Sequence, residues 1–100
     1  MKYEIRLLKL SEHDYNEIYE YLSQFYPSTP RKFTVKFEKC KENLEDNPYM
    51  YSVYEPMPQF RRFFVNDYIG FYKVFEEQSV VEIHRLLHSS RNILHFLKER

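Results

Sequence analysis

Residues 3–8 alternate, with Tyr3, Ile5 and Leu7 on one side and Glu4 and Arg6 on the other, the period-two signature of a half-buried strand. Everything from there to residue 47 carries apolar side chains at helical spacing. The opening strand therefore has no neighbour in sequence to pair with, and it must enter a sheet beside a strand far along the chain. That sheet, with one face covered by helices, is the architecture the chain has to satisfy.

Two helices follow the strand. Ser11 is placed as the N-cap of the first, Asp14 completes a capping box, and Leu10 and Tyr15 hold the staple positions. Tyr15, Ile18, Tyr19, Leu22, Phe25 and Tyr26 share helical spacing, which predicts a helix ending near Tyr26-Pro27. The second helix opens at Thr29 as cap with Pro30 in the first position, where a missing N–H costs nothing. It carries Phe33, Phe37, Cys40 and Leu44 on one face and stops at Asn47-Pro48. A short connection makes the pair an antiparallel hairpin.

Residues 48–58 hold three prolines and read as a loop with one short strand at 51–54. From Phe60 the period changes to two: strands at 60–65, 68–75 and 80–87, with turns at Asn66-Asp67 and 76–79. Ser89 or Ser90 is placed as the cap of a last helix bearing Ile93, Leu94 and Leu97 inward. The fold class is α+β. An N-terminal strand and a helical hairpin pack on a sheet of four to five strands, mainly antiparallel, with a short C-terminal helix, all in one domain over residues 1–100.

Composition narrows the function classes. Ten Tyr and nine Phe give a short chain large rings with which to fill a core. Fifteen basic and fifteen acidic residues leave no net charge, which argues against a strong nonspecific nucleic-acid binder. Residues 1–56 hold 8 basic and 10 acidic groups and residues 57–100 hold 7 and 5, so an anionic ligand is expected to meet the second half. The lone Cys40 rules out an internal disulfide and fits a reducing cytoplasm. Residues 5–10 are too short and too charged for a signal peptide, and no apolar run is long enough to span a membrane. Gly70 is the only glycine, so no glycine-rich phosphate loop exists, and no cofactor is expected.

The order of elements, together with particular residues, resembles the RelE/ParE toxin superfamily over nearly the whole chain. The residues that carry the likeness are the run Phe60-Arg61-Arg62-Phe63-Phe64-Val65-Asn66-Asp67-Tyr68, then Phe71-Tyr72-Lys73-Val74, then Val81-Glu82-Ile83-His84-Arg85-Leu86-Leu87-His88, and Arg91-Asn92. Members often show an Arg-rich strand, a turn, Tyr-x-x-x-Tyr, and a last strand ending Arg-x-x-His-x-x-Arg-Asp/Asn. The run Ile18, Tyr21, Leu22, Pro27 and Phe33 is similar to the family's helical hairpin. The resemblance implies a small cytoplasmic toxin held inactive by a cognate antitoxin. The antitoxin would lay a segment over the sheet and the hairpin, covering apolar surface. One branch of the family cleaves messenger RNA in the ribosomal A site, and the other poisons DNA gyrase without being a nuclease.

Arg85, Arg91 and His88 are the candidate catalytic set. RNA cleavage through the ribose 2′-hydroxyl needs a base, an acid for the leaving oxygen and cations for the charged intermediate. An imidazole is the side chain suited by its intrinsic pKa to proton transfer near neutral pH, and guanidiniums grip phosphate in a bidentate manner. The plainer reading has His88 capping its strand end and bonding the next turn. Arg61, Arg62 and Lys73 are candidates for target or nucleic-acid binding. Alternatively these three, and Arg85 and Arg91 with them, are solvated strand-edge charges or partners of Glu76, Glu77 and Glu82. Consecutive strand residues point to opposite faces, so Arg61 and Arg62 cannot both line one site on a regular strand. His84 and His88 stand roughly 13 Å apart at ~3.3 Å per strand residue, too far to chelate one zinc, and no metal is expected. Tyr49, Tyr51 and Tyr54 can stack on bases or cover a core edge.

The nuclease pattern is incomplete. Messenger-RNA-cleaving members commonly carry an Arg directly after the turn Tyr, where Tyr68 is followed here by Ile69. Many also carry a Tyr or His after the Arg-Asp/Asn position, where this chain has Leu94, His95 and Phe96. The sequence thus leans to the ParE-like, gyrase-directed branch. The ribosome-dependent endoribonuclease is the alternative, and a non-toxic member retaining only antitoxin binding is a third reading that rests on the neutral charge. No motif marks a homodimer, and none excludes one.

Overall fold

The computed structural model describes residues 2–98. Its elements run β1 (Glu4–Leu7), α1 (Lys9–Leu22), α2 (Ser28–Asp46), β2 (Arg61–Val65), β3 (Tyr68–Phe75), β4 (Val80–His88) and α3 (Ile93–Lys98). The sheet has four strands in the order β1-β4-β3-β2. β2, β3 and β4 form the expected antiparallel meander, and β1 lies parallel to β4 with Glu4 opposite Val80 and Leu7 opposite Ile83. The first strand has found the last.

One face of the sheet is covered by α1 and α2. Phe33, Phe37, Cys40 and Leu44 of α2 meet Phe63, Val65, Tyr68, Tyr72, Val81, Ile83 and Leu86, and Tyr3, Ile5, Leu7 and Tyr15 pack around them. Two side-chain bonds tie this layer together. The Tyr15 hydroxyl lies 2.6 Å from Thr34 Oγ1 across the two helices. Tyr72, fully buried, donates to the Pro48 carbonyl at 2.8 Å and so satisfies the one polar atom its ring carries inside. The other face holds a smaller cluster of Phe60, Ile69, Phe71, Leu87 and Leu97, covered by Tyr54, Met57, Ile93 and Phe96.

Gly70 in β3 leaves room for a ring of the neighbouring strand. It sits opposite Phe63, and a Cβ added there would run into the Phe63 ring. The tight turn after β2 uses Asn66 with φ 55°, a left-handed conformation that Asn adopts more readily than most residues. A register shift falls between Phe71 and Tyr72, whose β4 partners are Arg85 and Ile83, so His84 is the extra residue of a bulge.

Several boundaries differ from the sequence-based expectation. Ser11 does not cap α1. The helix begins two residues earlier, and the buried Ser11 hydroxyl lies 2.8 Å from both the Leu8 and Ile83 carbonyls, spending its proton on the strand edge. α1 ends at Leu22, before Phe25 and Tyr26, whose rings are exposed because no neighbour covers the end of the hairpin. Thr29 lies inside α2, which starts at Ser28 without a side-chain cap bond. The strand expected at 51–54 amounts to one bridge, Val53 with Arg61. The last helix is capped by neither Ser89 nor Ser90. Asn92 takes that role, its Oδ1 accepting the His95 N–H at 3.3 Å.

Candidate functional site

β1 pairs with only the first part of β4, so beyond Ile83 the outer edge of β4 would be bare. α1 fills that gap with side chains. The buried Asp14 carboxylate accepts the Leu86 N–H at 3.0 Å, the place a neighbouring strand's carbonyl would otherwise occupy. The same carboxylate grips Arg85 in a bidentate manner, with Nε at 2.7 Å and Nη2 at 2.9 Å. Arg85 then reaches on to α3, donating to the Phe96 carbonyl at 3.2 Å. Both side chains of the pair are about nine-tenths shielded from solvent, at 11% and 7% exposure. A charge so placed is tolerable only when paired and hydrogen-bonded, and this pair is both. Arg85 thus joins α1, β4 and α3 in one clamp.

A cleft lies on either side of that clamp. The first, of about 450 Å³, opens between the β1–α1 junction, the loop before β2 and α3. Its apolar floor includes Leu8, Met57, Phe60 and Leu97, and Lys9, Lys73, His84, Arg85 and Lys98 stand around it. Lys73 Nζ sits 5.0 Å from the Phe60 ring centre, and the His84 ring meets Phe60 edge-on at 5.3 Å. His84 Nε2 also lies 3.2 Å from the Glu82 carboxylate.

The second cleft, of about 430 Å³, lies between α1 and the end of β4 and is lined by Glu17, Tyr21, Tyr68, His88, Ser90 and Arg91 among others. His88 stands edge-on to Tyr68 at 5.2 Å. The Ser90 N–H donates to His88 Nδ1 at 3.1 Å, and the Ser90 hydroxyl lies 2.8 Å from the same nitrogen. With that lone pair engaged, the neutral ring carries its proton on Nε2. Arg91 stacks on Phe96 at 4.8 Å, and Arg85 approaches the same ring at 5.7 Å. Burial pushes the Tyr68 phenol above its ordinary range, so at neutral pH it is a hydrogen-bond donor and not a base.

The six residues singled out from sequence do not converge on one concavity. His88 and Arg91 share the second cleft, while Arg85 and Lys73 line the first. Arg61 lies at the sheet margin, donating to the Tyr51 carbonyl at 2.8 Å and stacking on Tyr49 at 5.1 Å. Tyr49 in turn donates to Glu76 at 2.7 Å, which raises its phenol to about 12. Arg62 points the other way, as strand alternation requires, with its guanidinium 5.5 Å from both the Tyr54 and Phe64 rings. Its buried Nε has no hydrogen-bond partner among the described residues. Asp14 and Phe96 were not singled out. Asp14 has the spacing of a cap, and nothing local links it to an arginine 71 positions away. No cluster of His, Cys, Asp and Glu among the described residues could hold a metal. No helix of the described residues is long and apolar enough to cross a membrane.

Comparison with known proteins agrees with this architecture. The solved ParDE toxin–antitoxin system of P. aeruginosa contains a chain similar to this one, with TM-score 0.72 at 12% identity, covering 87% of this chain and 96% of that one. The E. coli toxin RelE, in a doubly substituted free form, is similar with TM-score 0.67 at 12% identity, over 96% and 93% of the two chains. A chain of the intact E. coli RelBE complex gives 0.63 at 13% identity, over 89% and 99%. At these identities the likeness speaks for the fold. No curated protein sequence matches the chain. The family model for the ParE toxin of the type II toxin–antitoxin system parDE matches residues 5–93, from the first strand to the start of the last helix, and the chain therefore belongs to the ParE toxin family, within the RelE/ParE superfamily.

Proposed function

We propose that the protein is the toxin of a type II toxin–antitoxin pair, neutralised in the cytoplasm by a cognate antitoxin, and that it acts by binding, with DNA gyrase as target, in the ParE manner. Family membership and the solved complexes named ParDE and RelBE support the toxin and antitoxin parts of this reading. The observation that carries the binding mode is the state of the would-be catalytic groups. Arg85 is committed to Asp14, and the His88 Nδ1 that could take a proton already accepts the Ser90 N–H. Purified protein added to a gyrase supercoiling assay should inhibit it, and the antitoxin should restore it. Full supercoiling at excess protein would remove gyrase as the target.

One observation favours the second reading, a ribosome-dependent messenger-RNA endoribonuclease: Tyr68, His88 and Arg91 line a single cleft. If His88 turned out of its Ser90 bond, these three would supply an acid–base group, a donor and a cation. The check is cell-free translation with the 5′ ends of the template mapped. New ends within codons, absent with His88→Ala, would establish it, and intact message would exclude it.

A further inference from the structure

Exposed aromatic rings concentrate at the closed end of the helical hairpin. α1 ends at Leu22 and α2 begins at Ser28, so the connection at 23–27 sets the last turns of one helix beside the first turns of the other. Tyr19, Tyr21, Phe25 and Tyr26 all lie here, from 41% to 76% exposed. Tyr21 and Phe25 meet edge-on at 5.2 Å. Charge is arranged around these rings in two blocks. Residues 15–22 carry Glu17 and Glu20 with no basic group, and residues 28–37 carry Arg31, Lys32 and Lys36 with no acid. The blocks do not pair with each other. Among the described residues Glu17 pairs only with His13, and Glu20, Arg31 and Lys32 form no ion pair. We propose that this end is the contact surface for a second copy of the chain, joined about a two-fold axis, with the rings of the two copies meeting and Glu20 of each chain facing Arg31 of the other.

Charge selects a second copy over other partners. A two-fold contact requires a surface complementary to itself, and an acidic block beside a basic block at one end meets that requirement. A peptide of one sign would lose against one block what it gained from the other, and a phosphate backbone would meet Glu17 and Glu20. The extent of the surface sets the strength. At roughly 200 Å² for a whole ring side chain, the four rings offer on the order of 450 Å² per copy, about half of the ~800 Å² that each side of a standard interface buries. The dimer is therefore weak and responds to concentration. Glu17 and Tyr21 also line the second cleft, so the partner copy stands at its mouth. The inference needs only this end of the hairpin and stands apart from the choice between gyrase and message.

The test is sedimentation equilibrium of the full chain from micromolar to millimolar concentration. The wild type should pass from monomer to dimer, and Phe25→Ser combined with Tyr26→Ser should hold it as a monomer throughout. Both rings are exposed, so this variant keeps the fold. Glu20→Lys and Arg31→Glu, also at exposed positions, should each weaken the dimer about tenfold, because the two-fold axis doubles the loss of an exposed ion pair and sets like charges together. Both substitutions in one chain should restore the wild-type dissociation constant, and an equimolar mixture of the two single variants should associate about as the wild type does. Three outcomes would overturn the inference: a monomer at millimolar concentration, a dimer that survives the loss of both rings, or charge variants that have no effect or whose weakening neither combination nor mixing restores. A monomer whose Tyr26 and Arg31 amides shift with a thymidine decanucleotide would overturn it as well and give this end to a nucleic acid.

Discussion

The two faces of the sheet are built on different terms. Under the helices, Phe33, Phe63 and Tyr72 are fully buried, and no cation stacks on any of the three. On the opposite face Lys73 stacks on Phe60, Arg62 on Tyr54 and Phe64, and Arg85 and Arg91 on Phe96. The helix-covered layer admits a cation only at its rim, where Lys41 Nζ stands 5.4 Å from the Phe37 ring, whereas a layer closed by a loop and a short helix keeps several guanidiniums and an ammonium half in water, their stems on the rings and their heads outward. The helix-covered face therefore carries the stability, and the other face carries the groups able to meet a partner.

The sharpest way to break that contrast is Phe63→Ala against Arg91→Ala. Removing Phe63 empties the layer under the helices and should cost ~3–5 kcal/mol in denaturant unfolding. Arg91→Ala should cost ~1 kcal/mol or less, because only an exposed cation–π contact is lost. Equal losses would mean that the faces are not divided in this way. Asp14→Ala tests the clamp between them. It strands Arg85 and the Leu86 N–H together, and ~3–5 kcal/mol is expected, with α3 loosening in hydrogen exchange. A loss below ~1 kcal/mol would mean that water reaches the pair.

Gly70→Ala is the next in size. The added methyl collides with the Phe63 ring, and ~1–3 kcal/mol of overpacking is expected in thermal unfolding. The smallest effect is read in alkali. Burial raises the phenols of Tyr51, Tyr68 and Tyr72 above the ordinary value of 10.0, and all three belong to the helix-covered layer. A raised folded pKa means that the native state holds the proton more tightly than the unfolded one. The stabilisation is whole below pH 10 and drains away as pH rises through the folded values. Tyrosinate absorbance should thus show these three ionising late and together with unfolding.

The elements with strong period were legible: β1, both helices and the meander follow from which side chains repeat at two and at three to four. The face of α2 was legible too, since Phe33, Phe37, Cys40 and Leu44 are buried as their spacing demands. What escaped was decided by contacts between distant residues. Asp14 looks like a capping acid because the local pattern is the same whether the carboxylate turns to its own helix or to a strand edge. Arg85 looks like a free cation for the same reason. The run at 51–54 has strand composition, but its outward neighbours never arrive, so one bridge is all it forms.

The parallel pairing of β1 with β4 has a consequence for the chain as it is made. A ribosome delivers Glu4 long before its partner Val80, and Asp14 long before Arg85. Until β4 emerges, the helical hairpin has only the β2–β3 hairpin to lie on, and the first strand has no edge to join. The β2–β3 hairpin can close early through its short turn, whereas the later step must bring β1 and β4 together across a long separation in sequence. The nascent chain therefore completes both clefts only when β4 and the residues after it have left the exit tunnel. A partner that recognises the finished sheet would meet this protein only once β4 has emerged and not before.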